Sequence, residues 1–169
     1  MNSRIDLPSW GTTSRLRLRG FDYSSAGCYL VTCVAIDRAP LFGKVKDSIF
    51  HPSTMGTVLV EEWLALEAAY DSVMVDVHQV MPDHFHGIVT LLRDDRAPTT
   101  SLSAVMGRFK SLTARRYWHE RDEGNCPDVG TTCWQARFHD TIIRDDRHYD
   151  EVVGYLALNP HRWTQRGKS

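Results

Sequence analysis

Apolar residues along this chain alternate with polar ones in some stretches and recur every three to four positions in others, and the two patterns follow each other in a legible order. Gly27 to Ala35 is dense in β-branched and apolar residues and predicts a strand, which Arg38 to Gly43 breaks. From Thr54 to Tyr70, Val58, Trp63, Leu64, Leu66 and Ala69 fall at helical spacing behind Ser53 or Thr54 as a cap. Ser72 to Val80 alternates as a strand, Met81-Pro82-Asp83 signals a tight turn, and His84 to Leu92 predicts the second strand of a hairpin. A linker over 93–100 leads to a long helix from Ser101 to Glu120, then a loop from Arg121 to Thr131. Trp134 to Phe138 and Thr141 to Ile143 predict a short fourth strand. Asp145 or Asp146 caps a final helix running to about Leu158 and stopping at Pro160.

Strand, helix, strand, strand, helix, strand is the split βαβ plan. The expected fold is α+β and ferredoxin-like (RRM-like). It has an antiparallel sheet with two helices on one face and an added C-terminal helix, carrying Tyr155, that covers part of the other. With 169 residues the chain suits one core. Residues 1–20 read as a polar N-terminal arm in which Arg15, Arg17 and Arg19 alternate with leucines, and 21–169 as a single domain.

Composition adds little except in charge. Twenty Lys+Arg against 21 Asp+Glu give a formal net charge of −1, whereas nucleic-acid binders commonly carry a basic excess. Only the face that meets phosphates needs to be positive, so distribution matters more than the sum. Cys28, Cys33, Cys126 and Cys133 form no CxxC pair and no zinc spacing, and read as free thiols. With no signal peptide and no apolar run near the roughly 20 residues of a membrane span, a cytoplasmic location is expected.

Two constellations could carry chemistry. His84 and His86 are separated by one residue on a strand, so both side chains leave one face with Cα atoms about 6.6 Å apart. Imidazoles at that spacing can converge on a metal ion; two histidines on a half-exposed sheet face are the plain alternative. Phe85 points into the helices, and Gly87 leaves room for a backbone or ligand. Tyr155 and Asn159 are i and i+4 and share a helix face. A tyrosine can be a covalent nucleophile, and an amide oxygen is a hard ligand of the kind Mg²⁺ or Mn²⁺ accepts; a packed tyrosine followed by a helix cap is the alternative. Together they propose one site: His84, His86 and Asn159 as ligands of Mg²⁺ or Mn²⁺, with Tyr155 placed to attack a phosphate in line. Tyr149 lies off the Tyr155–Asn159 face, and Tyr117 has no partner at ligand spacing. No spacing places Gln135 or His139 at the site.

Several further motifs keep company with these in order: Arg19 to Thr32, Leu41-Phe42-Gly43, Met81 to Ile88, Phe109-Lys110-Ser111, Trp134 to Asp145 and Tyr155 to Pro160. With them the chain resembles, from about Arg15 to Trp163, the REP-associated tyrosine transposases and single-tyrosine HUH transposases of the IS200-like insertion sequences. The resemblance implies that His84 and His86 are the HUH histidines, Tyr155 the nucleophile and Asn159 the metal-binding polar residue. It implies an enzyme that recognises hairpins in single-stranded DNA and cleaves beside them. A 5′-phosphotyrosine link and a free 3′-hydroxyl would remain, so rejoining needs no nucleotide cofactor. Asp83 stands where the family commonly has asparagine, adding a negative charge near the metal. Related enzymes can take the tyrosine helix from a partner subunit, so monomer and homodimer both stay open.

Phosphate contacts would fall to Arg15, Arg17 and Arg19 of the arm and to Arg108, Lys110, Arg115 and Arg116 of the long helix, a solvated helix face being the alternative. Trp10, Trp63, Trp118, Trp134 and Trp163 are candidates for base stacking or for the core. Two other functions fit the pattern. One is a DNA- or RNA-hairpin-binding module with stacking aromatics on the open sheet face; the other is a domesticated transposase without strand transfer.

Overall fold

In a computed structural model, which describes residues 26–92 and 100–166, the strand-forming segments pair as one antiparallel sheet. Its strands are β1 (Gly27–Ala35), β4 (Val73–Met81), β5 (His84–Leu91) and β6 (Trp134–Ile143), in the order β4-β5-β1-β6. α1 (Thr54–Leu64) and α2 (Leu66–Ala69) connect β1 to β4, and α3 (Leu102–Asp122) connects β5 to β6. This is the ferredoxin-like arrangement, with both crossovers on one face. α4 (Asp146–Ala157) and α5 (Asn159–Arg166) lie against the other face.

Alternation along the strands divides the sheet into two apolar layers. Tyr29, Val31, Cys33, Phe85, Val89 and Leu91 bury against Trp63 of α1 and Val105, Met106 and Phe109 of α3. Cys28, Ile88 and Ile143 bury against Val152 and Leu156 of α4. Trp63 is the centre of the larger layer, its ring 5.0 Å from Phe85 and 5.5 Å from Phe109. What Gly87 makes room for is this indole: a Cβ there would lie 2.4 Å from Trp63 Cζ2. The glycine serves core packing on the helix side, and the ligand or backbone expected from sequence is not its reason.

Four features differ from those expected. After the break at Arg38–Gly43 the chain forms a ribbon, β2 (Gly43–Lys46) with β3 (Ile49–Pro52). Its two-residue turn holds Asp47 and Ser48 in the left-handed region at φ 52° and 62°, the backbone of a type I′ hairpin. The helix expected over 54–70 is interrupted at Ala65, and the fourth strand runs unbroken over ten residues. The helix expected to run to about Leu158 ends there, but a further helix follows it through Pro160. α4 ends at Ala157, and Pro160 is the second residue of α5, where its missing N–H has no intrahelical partner to lose.

All four cysteines are free thiols, three of them buried. Among the described residues no helix is long and apolar enough to cross a membrane.

Candidate active site

β5 presents His84 and His86 on the sheet face opposite α1 and α3. Across the ladder His86 faces Thr32 of β1 and Gln79 of β4, while His84 faces Val34 and Met81. The imidazoles stand edge to face with centroids 4.8 Å apart.

Each ring is held at Nδ1 by a different group. His84 Nδ1 lies 2.5 Å from Asp83 Oδ1, and Arg38 Nη1 donates to Asp83 Oδ2 at 3.2 Å. His86 Nδ1 and Thr32 Oγ1 are 2.7 Å apart. A partner at Nδ1 fixes ring orientation and tautomer and directs coordination to Nε2. The chain works to deliver Arg38: Asp37 and Arg38 both take left-handed φ, 49° and 53°. The turn they form is tied down by Ala35 N–H donating to the Asp83 carbonyl at 2.8 Å and Phe42 N–H to that of Pro82 at 3.0 Å. Burial, followed by the neighbouring His84 ring, pushes the His86 imidazole down to about 3, with Asp83 opposing. At neutral pH it is therefore uncharged, the form that accepts a metal.

α4 and α5 close over this pair. The Tyr155 ring lies 6.0 Å from His86 and the Trp163 ring 6.0 Å from His84. Asn159, four residues from each, is buried at 7% exposure, and its Nδ2 has no hydrogen-bond partner. Since the amide can be turned over, an orphaned buried amide offers an oxygen as readily as a nitrogen. Two oriented imidazoles and an unsatisfied amide suit a divalent ion that accepts nitrogen and oxygen. Among the described residues no group of three or more His, Cys, Asp or Glu could hold a metal ion.

Tyr155 is 41% exposed, and the Arg162 guanidinium stands 5.2 Å from its ring centroid. The other tyrosines of the described region are engaged elsewhere. Tyr149 donates to Asp76, and burial together with that carboxylate raises its phenol above the ordinary range. Tyr117 is fully buried under the loop before β6, accepting from Val129 N–H at 2.8 Å.

Residues 43–159, which include both histidines, Tyr155 and Asn159, match the family model described as Transposase IS200 like. The chain belongs to the IS200-like transposase family. A relative from Haemophilus influenzae, named only as an uncharacterized protein, is 26% identical over 167 residues, covering 89% of each chain. Among solved structures, a REP-associated tyrosine transposase bound to a REP hairpin matches with a TM-score of 0.55 at 20% identity, over 84% of this chain and 71% of that one. A Deinococcus radiodurans R1 protein described as a candidate transposase matches with a TM-score of 0.51 at 15% identity, over 83% and 95%. At such identities the structural likeness shows the fold.

Within this transposase the residues expected at the site separate into two groups. Tyr155, His84 and His86 come together, and Asn159 is buried four residues along the chain from both Tyr155 and Trp163. Arg108, Lys110, Arg115 and Arg116 do not join them, because α3 lies across the sheet. Lys110 Nζ donates to the Gln135 and Ala136 carbonyls at 2.6 and 3.0 Å, which makes it a brace between α3 and β6. Arg116 meets Glu61 at 3.1 Å and Glu62 at 3.4 Å. Arg15, Arg17, Arg19 and Trp10 lie outside the described residues. Of the tryptophans, Trp63 and Trp134 are core, Trp118 is 45% exposed and Trp163 is at the site. Thr32, Arg38 and Arg162 were not expected there. His139, which no spacing placed, is exposed directly across β1 from Thr32, on the site face.

Proposed function

We propose that this transposase is a metal-dependent single-strand DNA endonuclease and strand transferase, cleaving beside DNA hairpins through a 5′-phosphotyrosine on Tyr155. The observation that carries the reading is the half-exposed Tyr155 ring 6.0 Å from His86, beside a buried amide with no partner. His84, His86 and Asn159 would hold Mg²⁺ or Mn²⁺, which when bound polarises and orients a phosphate as a Lewis acid. Asp83 and Thr32 keep the two imidazoles aimed. Tyr155 Oη attacks the phosphorus, a P–O bond to tyrosine forms, and the bond to the neighbouring 3′-oxygen breaks. The phenol gives up its proton and the departing oxygen takes one. One phosphodiester has replaced another, so attack by the same 3′-hydroxyl reverses the step and rejoins the strand. The REP hairpin bound by the related solved transposase supports a hairpin-bearing strand as partner. Tyr155 and His86 meeting within one chain supports a site complete in a monomer.

The test is a covalent adduct. Labelled single strands carrying a hairpin, incubated with the protein and Mn²⁺ or Mg²⁺, should give a protein-linked band in a denaturing gel. The band should vanish with chelator and in Tyr155→Phe. An adduct that survives either treatment sinks the mechanism.

A further inference from the structure

A protein that handles a single strand must hold several phosphates, and a chain of net charge −1 can do so only where its cations are gathered. α3 is poorly suited. It lies on the sheet face away from the histidines, Lys110 and Arg116 are engaged by protein groups, and Arg108 stands 5.9 Å from the centre of the Tyr70 ring.

The β2–β3 ribbon is built differently. Its register pairs Lys44 with His51, Val45 with Phe50 and Lys46 with Ile49. Side chains alternate, so Val45 and Phe50 share one face and Lys44, Lys46, Ile49 and His51 the other. Phe50 packs against the main core. The four outward residues are exposed, Ile49 at 61%. Neither lysine has an ion-pair partner among the described residues. Asp47, in the turn, is the ribbon's one acidic residue.

The ribbon is also fastened to the helix that closes the site. Ser48 Oγ and His161 Nδ1 are 3.3 Å apart. One residue on, Arg162 lies over Tyr155, and Trp163 lies against His84. The turn of the ribbon thus stands beside the first turn of α5, whose Arg162 reaches the tyrosine. An exposed isoleucine beside the ribbon's lysines offers apolar contact to a sugar or base.

We propose that this face of the ribbon, together with Arg162, is the track for the single-stranded DNA flanking the cleaved bond, with Lys44, Lys46 and Arg162 on its phosphates. The proposal rests on the single-strand DNA reading above and relocates the phosphate contacts from α3 to the ribbon and α5.

The experiment is a salt titration of binding by the full chain in EDTA, using a fluorescent hairpin with a single-stranded flank and the same hairpin without it. Each lost phosphate contact lowers the slope of log K against log salt by about 0.7 on a single strand. The Lys44→Ala/Lys46→Ala double variant should therefore lose about 1.4 from the slope on the flanked strand. It should bind the unflanked hairpin as wild type does, and Arg108→Ala/Arg115→Ala should leave both slopes unchanged. All four positions are exposed, so thermal midpoints should match wild type. A wild-type slope in the ribbon variant, or an equal loss on both probes, overturns the track. If wild type forms no Tyr155 adduct while the ribbon variant still loses slope, the nuclease reading falls and the track stands. An adduct in wild type with an unchanged ribbon slope removes the track alone.

Discussion

Asp83 is where a single substitution should report most directly on the proposed metal site. Its side chain is 8% exposed and both oxygens are engaged, Oδ1 with His84 Nδ1 at 2.5 Å and Oδ2 with Arg38 at 3.2 Å. Nothing in the structure puts Asp83 on the ligand side of the imidazoles, so its removal should act through His84. Outer partners of metal-bound histidines are worth about 10–100-fold in metal affinity, which is about 1.4–2.8 kcal/mol at tenfold per 1.4 kcal/mol. Asp83→Ala should weaken Mn²⁺ binding by that factor, read as free aqueous Mn²⁺ by EPR in a titration without DNA. Adduct formation should be recovered by excess metal, since Tyr155 and Asn159 are untouched. Asp83→Asn keeps the shape and one acceptor but removes the charge, so its Kd should fall between the two and it covers the case in which alanine perturbs folding. His84→Ala is the control for a lost ligand. If both Asp83 variants titrate as wild type while His84→Ala loses metal, the contact at Nδ1 does not orient the ligand and the reasoning fails.

Two further outcomes follow from the core. Gly87→Ala should lower stability by about 1–3 kcal/mol in urea unfolding, the usual cost of overpacking, because the added Cβ would meet the Trp63 ring at 2.4 Å; an unchanged midpoint would show that the indole can give way. Burial pushes Cys33 and Cys133 up to about 12 and raises Cys28 as well. At pH 8 these stay protonated and covered, so a thiol reagent should label half-buried Cys126 first and the other three only on unfolding, and rapid labelling of all four in the native chain would contradict the packing.

Hydrophobic periodicity made the main sheet and both crossovers legible, because each strand has one face against aromatic helices and its alternation cannot slip by one residue without exposing Phe85 or Val31. The ribbon escaped notice for equally local reasons. Its strands are four residues each, and its turn places Asp47 and Ser48 in left-handed conformations usually marked by Asn-Gly. Pro160 misled because a proline ends a helix only if the preceding turn was going to continue through it. At the second position of a new helix the same chemistry is neutral. In the site, parity alone put His84 and His86 on one face. Thr32 and Arg38 are 54 and 45 residues from the groups they hold, and only the register of β1 against β5 and the turn after β1 bring them there. The charges of α3 were equally visible, but their partners were not: Lys110 is committed to carbonyls of β6 that no spacing in the sequence foretells.

The break between α4 and α5 bears on how one turn of chain could serve two incompatible needs of the proposed reaction. A nucleophile must reach a strand arriving from solvent, while an amide ligand gains from exclusion of competing water. Tyr155 and Asn159, four apart, would point to nearly the same side of an unbroken helix. Here they are 41% and 7% exposed. With α4 closed at Ala157 and Leu158 as its cap, α4 can hold Val152 and Leu156 on the sheet while Tyr155 stays open beside His86. α5 then begins with Asn159 buried and sets Trp163 over His84. Pro160 helps fix that new start, since it donates no hydrogen bond back into α4. The same asymmetry runs through the histidines. His86, nearly enclosed, is held by a neutral hydroxyl, and His84, at 17% side-chain exposure, by a carboxylate that an arginine at the surface neutralises. Asp83 is itself buried at 8% side-chain exposure, and its charge is offset by Arg38, a 67% exposed side chain whose Nη1 reaches Oδ2; a carboxylate buried without such a partner would carry a heavier desolvation cost.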